Sequence, residues 1–378
     1  MIYLDYASST PVDKNVLEFL SHTELNFIGS AYSNHQKGFN VSSKIENLSL
    51  QICELLELSP NTAIIYTSCA SESNNLAIKG IAQSYKYKGK HILSSCLEHP
   101  SVSGTLSYLL EDGFEIELLK IQPNGQIDLK HLKSTIRSDT ILLCVSSVDS
   151  ELGVIQPIEE ISKILKNTEC KLHLDVAQAI GKTPTKRHLS YADTVSISPH
   201  KFYGLRGCGL LLKRQDVVLA PLFHGGGNIY RAGTPALGLI ASSYKALELA
   251  SIHFDERYKY VKKLHKYLVD NLVKFPEVRI NSPINGNNYV PFILNLSVKG
   301  FKGVEFQTKL NERDICVSVK SACSTDNSPS RAVMAISNDR KNALSSWRVS
   351  LSHLTVLQEI DEFLKVFEEI LKERFSKA

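Results

Sequence analysis

The chain has 378 residues, 43% of them hydrophobic, and a formal net charge of +4. A chain of this length can bury two cores, and its small, dispersed positive charge does not argue for nucleic acid as a partner. Eight cysteines show no Cys-x-x-Cys spacing, which speaks against a zinc site or a disulfide framework, and no apolar run of about 18 residues reads as a membrane span. A soluble, cytoplasmic protein with reduced thiols, no metal and no membrane partner is the expectation.

In chain order, Val41, Ile45, Leu48, Ile52, Leu55 and Leu56 fall on one helical stripe. Ala63–Thr67 reads as a strand. Ser68–Asn75 follows as the small, polar start of a helix that continues through Leu76, Ile78 and Ile81. Free amides and hydroxyls at a helix start suit a phosphate, although capping alone would also explain the serines. Short strand-like runs recur at Ile92-Leu93, Phe114–Ile116 and Ile141–Leu143.

Leu172–Asp175 is another apolar run, and it ends in an acid; a carboxylate fixed at a strand end can hold the pyridine nitrogen of pyridoxal phosphate (PLP) protonated. Asp193–Ile197 reads as a buried strand that delivers Ser198-Pro199-His200-Lys201-Phe202 at its end. Desolvation there lowers an amine's pKa and raises its nucleophilic fraction, as Schiff-base chemistry requires. A surface lysine at a strand-to-turn junction is the plainer reading of the pair His200-Lys201 taken alone. Gly209–Leu212 closes a stretch, from about residue 60 to 215, in which strand and helix alternate. That pattern predicts a mostly parallel sheet covered by helices on both faces, with ligands outside the carboxyl ends of the strands.

After Ala241 long helices frame strands near Val290–Val298, Cys316–Val319 and Trp347–Leu351, which reads as a smaller α+β domain. Tyr258–Lys263 looks like the solvated face of a helix. Cys323 sits among Ser321, Ala322, Ser324, Thr325, Asp326 and Asn327, the composition of an exposed loop.

These segments, in this order and at these intervals, resemble the cysteine desulfurases of the NifS/IscS type, class V aminotransferases of PLP fold type I. The resemblance rests on Tyr3–Pro11, Gly29–Gly38, Thr67–Gly80, Glu98-His99, Glu151–Val154, Asp175–Lys182, Ser198–Gly207, His224–Gly227, Gly233-Thr234, Ser321-Ala322-Cys323 and Arg348–Leu351. It implies an α/β fold with a large PLP-binding domain at residues 14–248. A small domain would be built from 1–13 and 249–378. It implies L-cysteine as substrate, a homodimer, and a sulfur-acceptor protein in iron–sulfur or thiolation pathways. Lys201 would carry the cofactor and move the substrate's α-proton. Asp175 would pair with the ring nitrogen, Gln178 with the phenolic oxygen, and His99 would stack on the ring as an acid/base group. Ala70, Ser71, Ser198 and His200 would hold the phosphate, joined by Thr234 from the second subunit. Arg348 would bind the substrate carboxylate, and Cys323 would accept the sulfur as a persulfide.

Several positions depart from the family pattern. Asp149-Ser150 stands where it has two asparagines, the second of which contacts cofactor and substrate. Ser150 cannot match an amide's reach, and Asp149 is expected to add negative charge nearby. The segment Asn228–Arg231 is shorter by about two residues, Cys69 and Lys320 replace glycines, and His353 replaces an arginine; Lys320 could lower the Cys323 thiol pKa. The sequence therefore leaves two alternatives beside desulfuration of cysteine. One is the same fold acting on another amino acid such as selenocysteine, and the other is a weakly active partner-binding scaffold.

Overall fold

The computed structural model describes residues 1–184, 186–320 and 328–375; Cys323 lies outside the described residues. Seven strands form the main sheet: β2 (Thr62–Thr67), β3 (His91–Ser95), β4 (Glu115–Leu119), β5 (Thr140–Ser146), β6 (Lys171–Asp175), β7 (Thr194–Ile197) and β8 (Gly209–Arg214). The short strand β1 (Ile2–Tyr3) precedes them, and β9 (Val278–Ile280), β10 (Ile293–Val298), β11 (Ile315–Cys316) and β12 (Ser346–Ser350) follow.

The strand order is β2-β8-β7-β6-β5-β3-β4. Every pair from β7 to β4 is parallel, while β8 runs antiparallel to both its neighbours. The parallel centre explains the composition: β3, β5 and β7 are buried along their whole length, as strands covered on both faces must be. The edge strand β4 instead exposes Glu115 and Leu118. Because β4 and β5 lie on opposite sides of β3, the chain reverses its direction of winding there. A crevice opens at the carboxyl ends of the strands beside such a reversal.

Helices cover the sheet. The stripe expected at Val41–Leu56 is the helix Gln36–Leu55, with Val41, Leu48 and Ile52 buried. The polar start expected near Ser68 becomes the helix Ala70–Tyr85, whose Leu76, Ile78 and Ile81 are fully buried. Lys259, Lys262 and Lys263 lie exposed on the helix Phe254–Leu272, as the charge pattern predicts.

The carboxyl-terminal part carries its own sheet, β12-β10-β9, all antiparallel. It packs through Phe306, Trp347, Phe363 and Phe367, whose rings contact one another with centroids 5.0 to 6.3 Å apart. The first residues of the chain join this part: β1 pairs with β11, and Asp5 bridges to Ser350.

Candidate active site

A cavity of about 210 Å3 opens where the ends of β3, β5, β6 and β7 meet the start of the Ala70–Tyr85 helix. Ala70, Ser71, His99, Ser150, Asp175, Gln178, Ser198, His200, Lys201 and Arg348 all line it. Thr234 does not: it lies on a separate cavity of about 330 Å3 together with Tyr32, Asn228 and Arg231.

Lys201 ends a short turn, Pro199–Lys201, that follows β7. Its Nζ donates to the carbonyls of Ala7 at 2.8 Å and Ser8 at 2.7 Å. Asp175 ends β6; its carboxylate accepts from Asn74 Nδ2 at 2.8 Å and from the backbone N–H of Ala177 at 2.9 Å. Gln178 donates through Nε2 to the Ala7 carbonyl at 2.8 Å and accepts from the buried Lys182 ammonium at 2.5 Å. Burial pulls Lys182 well below the usual lysine range, and the positive charges of Lys201 and Arg348 add to the effect. His200 contacts the Ser9 hydroxyl through Nδ1 at 3.2 Å, and burial followed by the charge of Lys201 pushes it down to about 4.

His99 caps the helix Pro100–Glu111, its Nδ1 accepting from the backbone N–H of Ser101 at 3.1 Å. Burial holds His99 below the usual histidine value and outweighs the opposing pull of Asp175.

Arg348, in the middle of β12, is buried and already engaged. It donates from Nη1 to the Ser150 carbonyl at 2.7 Å and from Nη2 to Asp5 and the Ser8 hydroxyl, each at 2.9 Å. Its Nε is buried without a hydrogen-bond partner.

Asp149 lies buried beside this region. Its carboxyl is buried in a turn, accepting the N–H groups of Glu151 and Leu152 through Oδ2, and burial raises its pKa to about 7. It therefore acts as a turn cap, with burial favouring its neutral form and the two N–H donors favouring its anion. Ser150 meets Arg348 through its main chain. Lys320 donates to the Ser328 hydroxyl at 3.0 Å, and Cys69 is the N-cap of the Ala70–Tyr85 helix.

Four supporting residues escaped the sequence reading: Asn74, Ser101, Asp5 and Lys182. Asp5 and Lys182 lie within matched motifs but carry no local mark of their role. Asn74 and Ser101 are visible only once the two helices are side by side.

Glu98, next to His99, accepts from the hydroxyls of Ser95 and Ser146, both at 2.7 Å, in full burial. Burial raises its pKa from the usual 4.5 to about 7. The native protein thus holds a proton there that the unfolded chain releases. The resulting stability is complete below pH 4.5 and is lost as pH rises through about 7. Glu98→Gln should flatten the fall in Tm across that window; an unchanged slope in thermal melts from pH 4.5 to 7.5 would show that Glu98 ionises normally.

The cluster His91, Glu115 and Glu117 brings three potential metal ligands within 4.8 Å. Glu115 is already held by the two-pronged grip of Arg137 at 2.7 and 2.8 Å, and Glu117 lies 3.4 Å from His91 Nε2.

Residues 2–363 match the family model described as Aminotransferase class-V. The chain belongs to that family. It is 35% identical to the cysteine desulfurase IscS of Dictyoglomus turgidum, over 98% of this chain and 94% of that one. Among solved structures, a NifS-like protein superposes with a TM-score of 0.89 at 31% identity, covering 98% of this chain and 99% of the other. A structure described as SspA in complex with cysteine gives 0.79 at 30% identity, covering 94% and 100%.

This class-V enzyme is PLP-dependent, and its cavity fits the cofactor. The Ala70–Tyr85 helix starts at the cavity with no side chain capping it. Open amides there, with Ser198 and His200 opposite, suit a phosphate. Asp175, in the same lining, would be the acceptor for a protonated ring nitrogen.

Proposed function

We propose that the chain is a cysteine desulfurase that moves sulfur from L-cysteine to Cys323. The observation that carries this reading is the convergence of Lys201, Asp175, His99 and Arg348 on one cavity, in a chain whose relatives bear that activity in their names. Overall, the Cβ–S bond of cysteine breaks and an S–S bond to Cys323 forms. The proton balance closes on alanine and a protein persulfide. Bound PLP supplies the sink for the electrons released at the substrate's α-carbon.

The residues divide the remaining work. Lys201 would hold the cofactor through its amine and would move the proton at the substrate's α-carbon. Asp175 keeps the ring nitrogen protonated; Gln178, oriented by Lys182, presents its amide to the phenolic oxygen. Ala70, Ser71, Ser198 and His200 hold the phosphate, and Arg348 with Ser150 positions the substrate carboxylate. His99 would lie against the ring and would handle a second proton.

Thr234, outside the lining of this cavity, is assigned to the phosphate of a second copy of the chain, which makes the enzyme a homodimer. We divide the chain into a large domain at residues 14–248 and a small one built from 1–13 and 249–378; the two sheets, seven-stranded and β12-β10-β9, support that reading. Among the described residues no helix is long and apolar enough to cross a membrane. We place the enzyme in the cytoplasm, supplying a sulfur-acceptor protein for iron–sulfur or thiolation chemistry.

The test is Cys323→Ser, with the purified enzyme given L-cysteine. The variant should keep its cofactor's visible absorbance and its response to cysteine, yet form no persulfide, because only the step that needs a thiolate has been removed. Persulfide at another cysteine with full activity would overturn the assignment. Faster turnover of selenocysteine than of cysteine by the unaltered enzyme would move the function to that substrate.

A further inference from the structure

Asn74 occupies a position from which it touches both halves of the site. It is fully buried in the second turn of the Ala70–Tyr85 helix, and each of its polar atoms is engaged. Its Nδ2 donates to Asp175 Oδ2 and to Ser101 Oγ, both at 2.8 Å, and its Oδ1 faces His173 Nε2 at 3.0 Å. The amide cannot be turned the other way, since its oxygen would then confront the carboxylate of Asp175. His173 must accordingly donate from Nε2, leaving its Nδ1 to accept from the Thr194 hydroxyl at 2.9 Å. Burial keeps His173 neutral by pushing its pKa down to about 4.

The same constraint propagates toward His99. Ser101 Oγ accepts from Asn74, so its own proton is free to point at His99 Nδ1, 2.8 Å away. The backbone N–H of Ser101 donates to that same nitrogen at 3.1 Å. With two donors aimed at Nδ1, that atom has no room for a proton of its own. The single proton of neutral His99 then resides on Nε2.

We propose that Asn74 is a positioning residue that sets the protonation state of His99 through Ser101 while it anchors Asp175. This deepens the reading of His99 as a proton carrier, and rests on that reading only for the use made of the proton. One amide ties the carboxylate assigned to the ring nitrogen to the histidine assigned to cover the ring, so the two are held in a fixed relation before substrate arrives. The charged groups facing His99 are Asp175 at the end of β6 and Lys201 beyond β7. Their opposing effects do not select between the two ring nitrogens; the donors on Nδ1 do.

The experiment is nitrogen-15 NMR of histidine-labelled full-length protein, with and without PLP, with the His99 signals assigned by their loss in His99→Gln. The unaltered protein should show His99 protonated at Nε2 throughout its neutral range. Ser101→Ala removes one donor and should raise its proton affinity about three- to tenfold. Asn74→Asp should act through the hydroxyl: the new carboxylate draws the Ser101 proton away from His99, on top of its own charge effect. Its shift should therefore be about three- to tenfold larger with Ser101 present than in the Ser101→Ala background. Asn74→Ala, which frees the hydroxyl to rotate, should give a smaller shift with the same dependence on Ser101, and it decides the matter should the aspartate variant fail to fold. A proton on Nδ1 of His99 in the unaltered protein, or shifts from the Asn74 variants that are the same in both backgrounds, would overturn the proposal.

Discussion

Lys201→Ala is expected to lose covalent retention of PLP and to lower alanine formation from cysteine by about 10²- to 10⁴-fold, the range set by removing a positioned acid/base group. The argument is one of placement. Lys201 Nζ is held at the cavity by two carbonyl oxygens from residues 7 and 8. Lys182, the other buried amine nearby, is tied to Gln178 and does not line the cavity. Water can still serve as a weak proton acceptor, so the loss should be large rather than absolute. The measurement is absorbance and mass after borohydride treatment, followed by alanine assay with added PLP. A label fixed on the Lys201→Ala protein at wild-type yield would mean that another amine carries the cofactor.

Arg348→Lys should raise the KM for cysteine by about ten- to a hundredfold, equivalent to one hydrogen bond to a charged group. A lysine keeps the charge but cannot reach the Ser150 carbonyl, Asp5 and the Ser8 hydroxyl together while still offering a donor to substrate. Arg348→Ala should do more, because it also leaves Asp5 without its counter-charge, 2.9 Å away in the present structure. Breaking such a pair costs about 3 kcal/mol, the low end of the range for buried pairs because Asp5 retains some access to water. Urea unfolding reads the second effect separately from kinetics. Adding Asp5→Asn to Arg348→Ala should restore part of the stability and none of the KM. Recovery of both would mean that Arg348 serves only to neutralise Asp5.

The chemistry-bearing ends of the strands were legible because each closes a run of apolar residues: Leu172–Leu174 before Asp175, Val195 and Ile197 before Ser198 and Lys201. The sheet's mostly parallel character followed from the alternation of strand and helix between about residues 60 and 215. Less could be read where a residue's meaning depends on distant partners. Asn74 meets Asp175 across 101 positions, and Arg348 meets Asp5 across 343; a single sequence gives no periodicity that would link them. Asp149 reads as a charge in the sequence, and only its burial in a turn turns it into a cap. Three-residue β9 is too short to show alternation, and the antiparallel run of β8 leaves no mark in composition. The Cys323 loop was legible as small and polar, and the described residues add nothing on its geometry.

The first eight residues supply the carbonyls that hold Lys201 and the carboxylate that holds Arg348, yet their own partners, β11 and β12, are translated last. On the ribosome, the seven-stranded sheet can form as soon as residue 214 has emerged, while the amino-terminal segment still waits for its docking strands. Closing that contact spans almost the entire chain and belongs to the slow, late part of folding. A nascent or carboxyl-terminally truncated protein would therefore hold a formed sheet, but with the Lys201 amine unheld and no fixed means of gripping an amino acid. Competence to break a carbon–sulfur bond would arise only in finished chains, which keeps a half-made enzyme from consuming cysteine before it can pass the sulfur on.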